Sequence, residues 1–392
     1  MSRVECFSPN QTLPLKTLFL VAGEISGDTH GAALVSALQR SGDWKIAGLG
    51  GPLLAAQSEA IENWLEDAAV LGLWEVLKKY SYFREKMEEA VARIHESQPN
   101  GIVFIDYPGF NLRLAKRLRE EGYEGKLIYY ISPQVWAWKK GRVRTMAQLL
   151  DLMICIFPFE KDLYENSGLP TVFAGHPLVD SMEQIRDAEL TRDPKLVALL
   201  PGSREREIAK LFPPMLDAAE ILLGKDPELR FTTTGATEKL TGVLREMVRA
   251  RGLEDHFRVG EESSYEIMQC AWTGVVASGT ATLEAACLGL PYCLTYKVAW
   301  LTAAVARRVM SVDYLGIVNV LAGREVVREI LQGEARGEVL AEEIFSLLTD
   351  VTKRTQLQES LAEVVATLGD GGCDENAAAA ISDVFRVSSP TD

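Results

Sequence analysis

Four short segments place reactive side chains directly after apolar runs. Ser278-Gly279-Thr280-Ala281-Thr282-Leu283-Glu284 follows the run Gly274 to Ala277 and opens a helical stretch. Gly279 lets the backbone approach a ligand. The free N–H groups at a helix start, with the Ser278 and Thr280 hydroxyls, make a seat for a phosphate or diphosphate. Glu284 lies one turn further on, within reach of a ribose; the competing reading of the segment is a plain helix N-cap. Pro201-Gly202-Ser203-Arg204 repeats the arrangement after Leu196 to Leu200. There Arg204 suits a departing diphosphate through charge-assisted hydrogen bonds, or else pairs on the surface with Glu205 or Glu207.

Asp106 ends the run Ile102 to Ile105 and opens Asp106-Tyr107-Pro108-Gly109-Phe110-Asn111. A carboxylate at that position can take the proton of an attacking hydroxyl, or it can cap the turn that follows. Gly23-Glu24-Ile25-Ser26-Gly27-Asp28 follows the first run, Thr17 to Ala22, without the GxGxxG spacing of a dinucleotide loop. Glu24 and Asp28 would repel a pyrophosphate, so this loop suits a polar acceptor better than NAD. Of the four histidines, only His176 sits beside a strand end, and it reads as a loop-orienting residue. No His, Cys, Asp and Glu cluster at ligand spacing argues for a metal, and no Gly-x-Ser-x-Gly elbow argues for a serine hydrolase.

The elements that must position these loops are βα units. Further strands are expected at Leu127 to Ile131 and Leu152 to Phe157 in the first half, and at Leu229 to Thr234 and Pro291 to Tyr296 in the second. Helices are expected from about Gly31 to Gln39 and from about Glu207. The polar stretch Ser181 to Lys195 is the best domain boundary. Two doubly wound α/β domains follow, and because ligands in such sheets sit outside the carboxyl ends of the strands, the loops are expected to point toward one cleft.

Composition sets the limits. The chain has 392 residues, 47% hydrophobic and 24% charged, enough for two domains with full cores, which excludes disorder and small disulfide scaffolds. Its 41 Lys and Arg against 55 Asp and Glu give a net charge of −14, which argues against general nucleic-acid binding. The same charge is repelled by an anionic membrane unless positive residues gather locally. Three aromatic-basic stretches do gather them: Leu71 to Lys86, Trp136 to Arg144, and Val298 to Met310. Each reads alone as an amphipathic element with a solvated basic face, and together they favour an anionic or lipid ligand. The six cysteines are scattered and read as reduced, with Cys155 and Cys287 in apolar surroundings. Met1 to Lys16 lacks the apolar core of a secretory signal, and no apolar run approaches the ~20 residues of a spanning helix.

Taken together, GEISGD, IDYPGFN, YYISPQVWAWKKGR, PFE, AGHPLVD, LLPGSRERE, ASGTATLEA and NVLAGREVV, in this order from Thr17 to Gln332, resemble the lipid-A-disaccharide synthase family. A weaker echo lies near Asp374-Glu375-Asn376. The resemblance implies a GT-B glycosyltransferase: two facing Rossmann-like domains at 1–180 and 181–365, with a C-terminal helix in 366–392 crossing back to the first. It implies inverting transfer of 2,3-diacylglucosamine from its UDP derivative to 2,3-diacylglucosamine 1-phosphate, giving a β-1′,6 disaccharide and UDP. No metal or other cofactor is needed in this family. Its members are peripheral proteins on the cytoplasmic face of the inner membrane of Gram-negative-type bacteria, and homodimer formation stays open.

By the same resemblance Asp106 is the catalytic base and Arg204 stabilises the leaving diphosphate. Ser203, Ser278, Gly279, Thr280 and Glu284 hold UDP, with Asn319 and Arg324 bordering the nucleotide, and Glu24, Ser26 and Asp28 serve the acceptor. The chain departs from the family pattern at Gly109, Val318 and Arg328, where the family has Asp, Pro and Pro. Two other readings stand beside this one. A UDP-sugar 2-epimerase or similar GT-B relative would not need the aromatic-basic stretches, and a non-catalytic nucleotide-sugar binding protein would not need Asp106.

Overall fold

The computed structural model describes residues 16–65, 76–135, 141–297 and 313–386. The leader reading of Met1 to Lys16 falls almost wholly outside them, as do Cys6, the stretch Val298 to Met310, and parts of the other two aromatic-basic stretches, 71–75 and 136–140. Two compact units divide the described residues: those within 16–135, 141–177 and 372–386 form one, and those within 178–371 the other.

The first unit is built on seven parallel strands: β1 (Lys16–Ala22), β2 (Trp44–Gly50), β3 (Ile61–Asn63), β4 (Gly101–Ile105), β5 (Lys126–Tyr130), β6 (Leu152–Cys155) and β7 (Thr171–Phe173). Their order across the sheet is β3-β2-β1-β4-β5-β6-β7. Strands covered on both faces by helices must be apolar throughout, and β1 and β4 are buried at every position from Leu18 to Ala22 and from Gly101 to Ile105. The covering helices are α1 (Ile25–Ser41), α2 (Pro52–Ala55), α3 (Val76–Ser97), α4 (Pro108–Glu120), α5 (Gly141–Leu149) and α6 (Pro158–Glu165). The chain leaves this unit at the start of α7 (Pro177–Ile185).

The second unit repeats the plan with β8 (Asp193–Leu200), β9 (Arg230–Thr233), β10 (Phe257–Val259), β11 (Ala271–Ala277), β12 (Tyr292–Tyr296) and β13 (Glu329–Leu331), in the order β10-β9-β8-β11-β12-β13. Its helices are α8 (Glu205–Leu223), α9 (Glu238–Arg249), α10 (Ser264–Cys270), α11 (Thr280–Cys287), α12 (Ile317–Ala322), α13 (Gly337–Thr349) and α14 (Val351–Ala366). The last helix, α15 (Cys373–Arg386), belongs to the first unit. It seats Ala377, Ala378, Ile381 and Phe385 in the core that holds Leu34, Val35 and Leu38 of α1. The Tyr130 hydroxyl donates to Asp374 Oδ1 at 2.9 Å, and the Phe385 ring meets Trp44 edge-on at 5.7 Å.

Each strand order reverses once, between β1 and β4 in the first unit and between β8 and β11 in the second. At such a reversal the connecting helices diverge to opposite faces and open a crevice at the carboxyl end of the sheet. The residues leaving β1 and β4 are Gly23-Glu24 and Asp106-Tyr107, and those leaving β8 and β11 are Pro201 to Arg204 and Ser278 to Thr280. All four candidate loops therefore stand at the reversal points of their own sheets.

The first helix starts well before the sequence expectation, and the chain passes between the units at 177/178 and 371/372 rather than at 180/181 and 365/366. α1 begins at Ile25 rather than near Gly31, so Ser26, Gly27 and Asp28 form its first turn. Glycines at 27 and 31 argue for a loop by propensity, but an added Cβ at Gly31 would lie 2.9 Å from Ile105 Cδ1. Close packing of the helix on β4 selects glycine there. Among the described residues, no helix is long and apolar enough to cross a membrane.

Candidate functional site

In the first unit the chain leaves β4 through two consecutive non-glycine residues in the left-handed region, Asp106 (φ 45°) and Tyr107 (φ 46°). Each such residue costs about 1–3 kcal/mol and persists only where its surroundings over-determine it. Here the Asp106 carbonyl accepts from Asn111 Nδ2 at 2.7 Å and from the Tyr129 hydroxyl at 2.5 Å, while its N–H donates to Tyr130 O at 3.1 Å. Asn111 is fully buried and also reaches Ile105 O at 3.3 Å. The Tyr107 ring lies where a side chain at residue 23 would stand, since a Cβ there would be 2.0 Å from Tyr107 Cδ1. Gly23 is thus glycine because the β4 loop packs onto the β1 loop.

The result is a half-buried Asp106 carboxyl with no Lys or Arg partner among the described residues. Burial raises its pKa above the ordinary carboxylate value, opposed by a backbone hydrogen bond from Tyr107. Burial also raises Glu24, and the Asp106 charge pushes the same way. A carboxylate with raised proton affinity, held on a rigid strand end, is suited to accept a proton near neutral pH.

Glu24 and Ser26 are exposed at the start of α1, as an acceptor site requires. Asp28 is not. It is 2% exposed, and its two oxygens accept from Gly51 N (2.8 Å), Leu54 N (2.9 Å) and Leu53 N (3.0 Å). Its carboxylate is spent on fixing the turn into α2, which corrects the acceptor-contact expectation for this residue.

In the second unit Ser203, Arg204, Ser278, Gly279, Thr280 and Glu284 line one cavity of about 520 Å³. Gly279 has φ 151° and ψ −164°, a conformation essentially reserved for glycine, and a Cβ there would meet nothing within 4 Å. The loop is therefore open to a ligand rather than packed. Ser278 N donates to Thr295 O at 3.0 Å, and Thr282 closes the turn from within by donating to Gly279 O at 2.7 Å. Thr282 N–H is taken by Gly279 O at 3.1 Å, while Thr280 and Ala281 at the start of α11 line the cavity, where free N–H groups and the helix dipole favour an anion. Glu284 is half-buried, which raises its pKa, and it accepts from the Tyr265 hydroxyl at 3.3 Å. Arg204 pairs with Glu207 at 2.9 Å, and its side chain is 77% exposed. An exposed pair of this kind contributes about 0–1 kcal/mol, so a diphosphate can displace it.

These features fit a catalytic carboxylate and a diphosphate seat. The family model described as lipid-A-disaccharide synthetase matches residues 18–382. The lipid-A-disaccharide synthase of Geobacter sulfurreducens is 38% identical over 378 residues, covering 94% of this chain and 97% of its own. The chain belongs to the lipid-A-disaccharide synthase family. Members are glycosyltransferases, and this one makes the disaccharide of lipid A from nucleotide-sugar and lipid substrates. Among solved structures, the UDP-GlcNAc 2-epimerase of Neisseria meningitidis bound to UDP-GlcNAc superposes with a TM-score of 0.59 at 12% identity, covering 95% of this chain and 100% of that one. The calicheamicin glycosyltransferase CalG4 gives 0.55 at 13%, covering 96% and 100%. At such identities the likeness is one of fold, and the fold is GT-B.

Two residues expected beside the nucleotide are engaged elsewhere. Asn319 is 1% exposed and its amide is consumed: Oδ1 accepts from Val326 N and Val327 N, and Nδ2 donates to Val327 O and Glu329 Oε1 at 2.8 and 2.9 Å. It pins the loop between α12 and β13. Arg324 lines a different cavity and donates to Ser360 Oγ at 3.1 Å and Glu363 Oε2 at 3.4 Å. Both expectations were carried over from the family resemblance of the Asn319 to Val327 segment, which does not report where a side chain points. Sequence reasoning missed Asn111 and Tyr129, which hold the Asp106 backbone, and Thr234 to Ala236 and Ser263, which complete the second-unit cavity. The position of Thr234 after β9, at the carboxyl edge of the sheet, was the available signal.

Proposed function

We propose that the chain transfers 2,3-diacylglucosamine from UDP-2,3-diacylglucosamine to the 6-hydroxyl of 2,3-diacylglucosamine 1-phosphate, with inversion. Asp106 takes the hydroxyl proton as the oxygen attacks the anomeric carbon on the face opposite UDP. The new C–O bond forms as the bond to the diphosphate breaks, through an oxocarbenium-like transition state. Arg204, the Ser203 and Ser278 hydroxyls and the N–H groups at the start of α11 meet the charge that develops on the diphosphate. Gly279 keeps that seat open, Thr280 adds a hydroxyl, and Glu284 stands one turn on for the ribose. Glu24 and Ser26 contact the acceptor sugar.

The observation that carries this reading is the strained, fully hydrogen-bonded Asp106-Tyr107 step, which holds a salt-bridge-free carboxyl at the reversal point of its sheet. The lipid substrates and the basic-aromatic stretches of the sequence support a working position on the anionic inner face of the inner membrane, bound peripherally. The test is incubation of the purified chain with both substrates, followed by mass spectrometry. A disaccharide 1-phosphate and UDP in equal amounts are expected. UDP without disaccharide would contradict the transfer.

A further inference from the structure

A second cavity lies beside Asp106 and takes no part in the chemistry just described. It measures about 440 Å³ and lies between α3 and α4 in the first unit. Its floor is aromatic and apolar: Phe83, Met87, Tyr107 and Phe110 line it, with the Phe83 and Phe110 rings backed by Trp64 at 6.1 and 5.0 Å. Tyr107 is shared, because the residue that follows Asp106 in the chain is also a wall of the cavity. The rim carries Arg84, Arg113 and Arg117. Arg117 is held by Glu88 at 3.5 Å and by Glu121. Arg84 and Arg113 are exposed and pair with no carboxylate among the described residues. Two uncompensated cations over an apolar floor are unusual in a chain of net charge −14.

An apolar space of this size with a few convergent polar groups is the form of a small-ligand pocket. The floor offers a single side-chain hydroxyl, that of Tyr107, too little to hold a sugar or nucleotide by hydrogen bonds, and the rim offers positive charge. The matching molecule is an amphiphile with a hydrocarbon chain and an anionic phosphate. Resting on the reaction proposed above, we infer that this cavity is the acceptor's lipid subsite. One acyl chain of the monophosphorylated acceptor lies on Phe83, Met87 and Phe110, and Arg84 and Arg113 receive its phosphate. Tyr107 then links the subsite to Asp106, so filling the cavity brings the acceptor to the base. The UDP-activated donor, whose diphosphate belongs to the second-unit cavity, is not its occupant.

Gly109 supplies a test that leaves the core alone. It lies on the cavity wall near the start of α4, is exposed, and a Cβ added there would meet nothing within 4 Å. Gly109→Leu projects a side chain into the space, while Gly109→Ala leaves it open. Steady-state rates are measured for the full chain in mixed micelles with acceptors of graded acyl length. Gly109→Leu is expected to raise the acceptor KM most for the longest chains and least for the shortest. Each buried methylene lost accounts for about fourfold. Arg84→Gln with Arg113→Gln is expected to raise the acceptor KM about tenfold or more at every chain length. The KM for the UDP-sugar stays at the wild-type value in both cases, and Gly109→Ala behaves as wild type.

Acceptor KM values equal to wild type in Gly109→Leu and in the double variant would overturn the subsite, with wild-type disaccharide synthesis leaving the reaction itself standing. Loss of anionic-vesicle co-sedimentation with acceptor KM unchanged in micelles would also overturn it, because the cavity would then hold a bilayer lipid. Absence of disaccharide from the wild-type chain would count against the reaction instead.

Discussion

Replacing Asp28 by Ala separates a structural carboxylate from a substrate-binding one. The side chain is buried at 2% exposure and its oxygens accept from three backbone N–H groups at 2.8, 2.9 and 3.0 Å. The Gly51 and Leu54 bonds are buried and the Leu53 bond is partly buried. Each donor left without a partner costs about 1–3 kcal/mol, and more when the lost acceptor was charged. Water can reach the Leu53 N–H but not the other two, so the expected loss is about 3–5 kcal/mol. That is a large part of the 5–15 kcal/mol typical of a domain. Asp28→Asn keeps one acceptor oxygen for Gly51 and Leu54, and costs about 1–2 kcal/mol at the single N–H it turns away. The assay is urea unfolding of the first unit, which holds Trp44 and Trp64, followed by tryptophan fluorescence. The refuting result is wild-type stability in Asp28→Ala together with a raised acceptor KM.

Other substitutions bear on the remaining assignments. Asn319→Ala removes four hydrogen bonds from a buried loop and is expected to destabilise the second unit by about 2–4 kcal/mol in urea, with UDP affinity kept below the transition. A weaker UDP affinity at unchanged stability would instead place it on the nucleotide. Gly279→Ala meets no atom but forces an L residue to φ 151°. Calorimetric titration should show UDP affinity falling about tenfold or more while the melting temperature moves little. His176, against the Phe157 ring at 5.0 Å, has its pKa lowered to about 4 by burial and, next, by His30. Its neutral form is the folded one, so its stabilisation is complete above pH 6.5 and lost as pH falls toward 4. Of that loss, about 2 kcal/mol should vanish in His176→Asn when unfolding is compared at pH 7 and 4.5.

Much of the first-unit site was legible because its signals are local. Ile-Val-Phe-Ile followed by Asp is a buried parallel strand with a polar end, and β4 with Asp106 sits where that pattern places it. The Pro201 to Arg204 and Ser278 to Thr280 loops were legible for the same reason, and they do line one cavity. What failed to show were roles fixed by partners distant in sequence. Asp28 looked like a substrate carboxylate because its three donors lie 23 to 26 residues away. Asn319 and Arg324 were expected beside the nucleotide from the family resemblance of their segment, and their actual partners, the loop backbone and Glu329 for Asn319 and Ser360 and Glu363 for Arg324, are not readable from it. The start of α1 was misplaced because glycine propensity was weighed without the β4 side chains that require it. The short edge strands β3, β7, β10 and β13, three residues each, are below the length at which alternation or an apolar run can be recognised.

The central claim is that Asp106 removes the acceptor proton, and it is tested most directly by Asp106→Asn. The amide keeps the shape of the side chain, and the backbone bonds from Asn111 and Tyr129 that hold the loop do not involve it. Because burial raises the Asp106 pKa, its ionised form costs the fold stability once pH rises through that value, so the variant should melt no lower than wild type at pH 7. Disaccharide formation, measured with both substrates saturating, should fall by about 10²–10⁴-fold while the dissociation constant for UDP stays within about twofold. Turnover near that of the wild-type chain, with UDP binding intact, would contradict the account.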